Sequence, residues 1–217
     1  MTRCMMLVLA AILFVLMCTA SWATNPADPT ADFRYGTDFL KVAWDGVGTS
    51  SECTWLFAQK EVGNKTAIIL FSEYDDCGTR LYELGITKQV KAGEGTLEVG
   101  AFKDVWHDAA DDSGVMLDWT NGRIGFGTVL RENGCSRVAA RAKVTSRATL
   151  NVAVAEAGAP TRWGIGYSAG KVRLEVAADG DTTWFRASQP VGKFYPELRT
   201  RFTKDDSFIG FGLGLAL

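Results

Sequence analysis

Histidine is almost missing: the chain has 217 residues and one His, His107. That excludes the paired-histidine spacings of zinc sites and obliges any histidine-dependent triad to use this single residue. Gly-x-Ser-x-Gly and phosphate-cradling glycine loops are lacking as well. No cofactor is expected, and no metal. Charge of one sign is also scarce. The formal net charge is −2, from 23 basic and 25 acidic side chains, and without a basic stripe nothing points to nucleic acid. Beyond residue 38 there is no helical stripe, no long-period repeat and no low-complexity linker, which sets aside helix bundles and solenoids. The one apolar run, Met5–Met17, falls short of the roughly 20 residues a spanning helix needs.

What is present begins with that run. In "MTRCMMLVLAAILFVLMCTASWA" a single charge at Arg3 precedes it, and Ser21 and Ala23 flank Trp22. This is the order of a secretory signal peptide, with cleavage expected after Ala23. Residues 1–23 are therefore read as a leader, 24–38 as an irregular arm, and 39–217 as one all-β domain. Export allows disulfides, and three cysteines remain after cleavage: Cys53, Cys77 and Cys135. Cys53 and Cys77 flank a run that reads as two strands about a "GNK" turn, so they are the expected pair, meeting across the open end of a hairpin. Cys135 is left over.

Period-2 alternation takes over from the arm onward. Strands are expected at 54–62, 66–74, 80–90, 96–106, 114–120, 123–131, 136–145, 147–156, 161–168, 171–178, 182–188 and 208–217. "TNGR" at 120–123 carries the strongest turn signal, Asn-Gly between two alternating runs. From Val138 to Val154 every even position is Val, Ala, Ser or Leu, as in two strands joined near Thr145 to Arg147 or one long bent strand.

Two architectures fit this pattern, and they assign its faces oppositely. An outer-membrane barrel turns the apolar parity to lipid and the small and polar parity to its lumen. A β-sandwich or jelly roll turns the apolar parity to its core. In "DSFIGFGLGLAL" (206–217), Ile209, Phe211, Leu213, Leu215 and Leu217 stand against Gly210, Gly212, Gly214 and Ala216. Glycine weakens a wet strand but suits a crowded inner wall, which favours the barrel. Trp55, Tyr74, Tyr82, Trp106 and Trp163 would share one rim, Trp119 and Tyr167 the other, like aromatic girdles. Compact turns ("GNK", "KAGEG", "NG", "AG") also alternate with mostly longer, more acidic ones ("DDCGT", "HDAADDS", "NGCS", "ADGD"). Several expected strands are short for a tilted membrane strand, which favours the sandwich.

The hairpin "LYELGITKQVKAGEGTLEVGAFKDVWHD" (81–108), the leader and the alternating last strand together resemble small bacterial outer-membrane β-barrel proteins, although that class usually ends on an aromatic residue and this chain has Leu217. Within the hairpin, "AFKDVWHD" (101–108) is similar to a stretch of lipid A palmitoyltransferases. Asp104 matches their Asp, Val105 replaces their Ser, and their essential upstream His has no counterpart. Elsewhere, "KVRLEVAADGDTTWFRASQPVG" (171–192) followed by "FIGFGLG" looks like the late strands of concanavalin A-like and laminin G-like sandwiches, whose members often bind carbohydrate.

The leading expectation is an antiparallel up-and-down barrel of outer-membrane type, in contact with outer-membrane lipid, with a structural, adhesive or narrow-channel role and without catalysis. In it Arg141, Lys143, Arg147, Lys171, Arg173 and Glu175 would line the lumen and either pair into a plug or set anion preference. The alternative is a secreted or periplasmic concanavalin A-like sandwich that stacks sugar rings on Trp184. A second alternative is an outer-membrane lipid-modifying enzyme using Asp104 and His107, the one place where a general base and its orienter come together.

Overall fold

The computed structural model describes residues 34, 38–46, 52–75, 80–107, 110–133, 136–155 and 160–217. The leader and nearly all of the arm, with Cys77, Cys135 and the carboxylate of Asp108, lie outside the described residues. Fourteen strands follow in chain order. They are β1 (Phe39–Asp45), β2 (Cys53–Gly63), β3 (Thr66–Asp75), β4 (Arg80–Ala92), β5 (Gly95–Trp106), β6 (Asp112–Thr120) and β7 (Ile124–Arg131). β8 (Arg137–Lys143), β9 (Ala148–Ala155), β10 (Arg162–Ala169), β11 (Val172–Asp179), β12 (Thr182–Ser188), β13 (Phe194–Phe202) and β14 (Ser207–Ala216) complete them.

Each strand pairs antiparallel with its neighbours in sequence, and β1 pairs with β14, so the sheet closes into a barrel without an edge. This overturns the sandwich alternative: one closed sheet has no second sheet to pack against. Closure also satisfies every strand's ladder, which lipid demands because it offers the backbone no partner.

The alternation divides as the barrel requires. Ile209, Phe211 and Leu213 of β14 are exposed on the outer face, and Gly210, Gly212 and Gly214 between them are buried inside. Val138, Leu150, Val152 and Val154 are likewise exposed outside on β8 and β9, two strands joined by the turn 144–147, where Thr145 Oγ accepts from the Arg147 and Ala148 amides.

One end of the barrel carries compact turns and both ends of the sheet, at Phe39 and Ala216. Here Asn64 and Lys65 both take positive φ (51° and 57°), the primed turn that matches strand twist. Asn121 Oδ1 accepts from the Arg123 and Ile124 amides beside Gly122. We call this the turn end, and the opposite one the far end. The expected acidic loop "ADGD" proves tight: β11 and β12 are joined by Gly180 and Asp181 alone.

Two strands escape the sequence pattern. β1 (FLKVAWD) hides because Phe39 and Ala43 are apolar on the inner face, leaving no clean alternation. β13 contains Pro196, which ordinarily argues against a central strand. It is tolerated because the pairing of β12 with β13 stops at Ser188 and Glu197, one residue short of it, while Pro196 O still accepts from the Gln189 amide.

Candidate functional site: the barrel lumen

The inner wall is not uniform. On β1 to β4 it carries an apolar patch: Phe39, Ala43, Trp55, Phe57, Ile69, Phe71 and Leu81 form a buried cluster, with Trp106 and Tyr195 packed against it. Phe39 and Phe57 meet edge to face at 5.0 Å, a favoured ring geometry. Trp55 and Trp106 therefore turn inward, correcting the expectation that both belong to the outer rim. Tyr74, Tyr82 and Trp163 do face outward at the far end, and Tyr167 at the turn end.

The charges are segregated around the ring. Acids face inward mainly on β1 to β6, at Asp45, Glu83, Glu98, Asp104, Asp112 and Asp118; bases dominate from β7 to β13, at Arg131, Arg137, Arg141, Arg162, Arg186 and Arg199. Many meet as ion pairs. Arg131 Nη1 donates to Asp104 at 2.6 Å and to Asp112 at 2.8 Å, with its guanidinium 4.7 Å from the Phe102 ring. Lys41 Nζ donates to Glu197 at 2.6 Å, and Arg199 bridges Glu197 and Asp45 across the β1–β14 closure. Arg186 pairs with Glu175, Arg162 with Asp179 and Arg141 with Asp118. Interior dielectric strengthens such pairs, and their hydrogen bonds offset the cost of burying them.

Free space lies to one side. A methyl group added at Gly114 would sit 2.5 Å from Leu130 O and Phe102 Cζ, and one at Gly210 would collide with Asp45, so the wall there is filled. At Gly166 on β10 nothing lies within 4 Å. Around it Ser168, Lys143 and Arg173 are exposed on the inner parity of their strands. The open part of the lumen thus runs beside β8 to β11 at the turn end, and its exposed charges are basic.

Solved structures bear on this shape. The crystal structure of the Acinetobacter baumannii outer membrane protein Omp33 is similar over 83% of this chain and 98% of its own, with a TM-score of 0.62 and 5% identity. KdgM porin, also solved in complex with disordered oligogalacturonate, is similar over 82% of this chain and 99% of its own, with a TM-score of 0.54 and 10% identity. The fold is that of an outer-membrane β-barrel. No protein-family model matches the chain, and no curated protein matches it.

Within that outer-membrane barrel fold the sequence-derived residues scatter. Arg141, Arg173 and Glu175 lie on the inner wall, and Lys143 on the same parity at the turn-end rim. Arg147 and Lys171 sit in the turns after β8 and β10 and are not part of the wall. Trp184 faces the lumen opposite Arg201, so it is no exposed sugar platform of a sandwich. Asp104 also faces the lumen, fully buried and held by Arg131, turned away from lipid; His107 follows the end of β5 at the far end. Among the described residues no group of three His, Cys, Asp or Glu is placed to hold a metal.

The expected Cys53–Cys77 disulfide involves Cys77, which lies outside the described residues. Cys53 Sγ lies 3.4 Å from Glu73 Oε1, to which it donates. At the turn-end rim, Lys60 and the Glu61 amide both donate to Asp38 at 2.6 Å and hold its carboxyl below the usual range. The ion pairs that shape the lumen were beyond sequence reasoning, because Lys41 and Glu197 are 156 positions apart. Only the inward parity of each charge could have marked it.

Proposed function

We propose that this chain is a narrow channel of the outer membrane with a preference for small anions. The observation that carries it is the one-sided opening beside Gly166, edged by exposed Lys143 and Arg173, in a barrel otherwise filled by the apolar cluster and ion pairs. Rings of basic side chains are how protein pores favour anions. A water path that hugs β8 to β11 meets those bases, whereas Asp104, Asp118 and Glu175 are buried against arginines. That KdgM porin was solved with an acidic sugar chain agrees with such chemistry in a related shape.

Reconstitution into planar bilayers under a salt gradient tests the reading. Discrete conductance steps with a reversal potential of anion sign are expected, shifted toward the cation side by Lys143→Glu. A silent bilayer, or a cation-selective step in the native protein, would refute it.

A further inference from the structure

One contact crosses the lumen. Arg34 stands before β1, outside the wall, yet its guanidinium donates to Glu98 Oε1 on β5 at 3.2 Å and its main-chain oxygen accepts from Arg173 Nη1 on β11 at 3.3 Å. β5 and β11 are six positions apart one way round the ring and eight the other, so they form nearly opposite walls. Glu98 and Arg173 both lie just inside the turn end, three residues beyond Gly95 and one beyond Val172, where their strands begin. The Arg34 and Glu98 side chains are only 16% and 9% exposed, and Gln89 Nε2 steadies Glu98 from β4 at 3.3 Å. An ion pair so enclosed is not a surface pair made incidentally by a loose tail; its geometry is fixed from three strands.

We propose that Arg34 is a strut across the turn-end mouth, tying the acidic wall to the basic wall and narrowing the water path where the lumen is otherwise open. The strut uses both ends of one residue. Its side chain satisfies the acid of one wall, and its carbonyl occupies the arginine of the other. It also engages Arg173, one of the bases to which anion preference is ascribed, through a neutral carbonyl, so its role as a constriction rests on the channel reading.

The test has two arms, both on the full chain folded in the membrane. In the first, Arg34→Cys and Glu98→Cys are combined and treated with a bifunctional thiol reagent, since an arginine–glutamate pair holds its Cα atoms too far apart for a direct disulfide. Mass spectrometry of the unreduced digest should find the two positions joined. In the second, Arg34→Ala and Glu98→Gln are compared with the native protein in bilayers, each first shown to keep its heat-dependent gel mobility. Both should raise single-channel conductance, roughly twofold for the alanine variant. Failure to join the two positions would overturn the strut. Joined positions with unchanged conductance would overturn its narrowing role. Joined positions with native and variant proteins all silent would overturn the channel reading and leave the strut standing.

Discussion

At the scale of single residues the lumen is held by charges that depend on one another. Arg131 is the clearest, because one guanidinium serves two carboxylates, Asp104 and Asp112, while Glu83 stands directly opposite Asp104 in register and is itself buried. Removing the cation would strand acids where water does not reach, a loss that typically costs about 3–5 kcal/mol. Arg131→Met should therefore lower the urea-unfolding free energy by about that much, and adding Asp104→Asn should recover part of it. A loss below about 1 kcal/mol, the range of exposed pairs, would show that the cluster is solvated. None of this could be read from sequence: Asp104 stood out there for its likeness to a catalytic stretch, and its actual partner lies on a different strand.

At the scale of the element, parity decides what was legible. Strands whose large apolar residues fall almost wholly on one side, such as β9 and β14, announce both their extent and their facing. β1 does not, since Phe39 and Ala43 belong to the apolar part of the lumen, and β13 is masked by Pro196. Trp55 was misassigned by composition although its parity, shared with Phe57 and Gln59, pointed inward. The short strands β10 to β12, of seven or eight residues, read as unfit for a membrane; closure carries them, because each is paired along both sides within the ring. If their outer face meets lipid, depth should set the cost of a charge there. Val152→Arg, mid-strand on β9, should destabilise by about 2–4 kcal/mol, and Val144→Arg, in the turn, by about 0–1 kcal/mol, measured by unfolding in lipid vesicles. Equal costs at the two positions would mean that no hydrocarbon gradient is present.

At the scale of the whole molecule the barrel has two regions of different chemistry. The wall formed by β1 to β4 is packed like the core of a soluble protein, with Phe57, Ile69 and Leu81 fully buried, while space is left open beside β8 to β11. That asymmetry separates two quantities that would change together in a uniformly wet pore, stability and conductance. Truncating Phe57 to Ala empties space lined by Phe39 and its neighbours, an apolar hole that stays dry, and costs about 3–5 kcal/mol as core phenylalanines do. Phe57→Ala should thus unfold at markedly lower urea concentration while its single-channel conductance and ion preference match those of the native protein. A rise in conductance would place the water path on the apolar side and displace it from β8 to β11. An unchanged unfolding midpoint would show instead that the cluster contributes no packing energy, and the filled side of the barrel would then have to be held by its ion pairs alone.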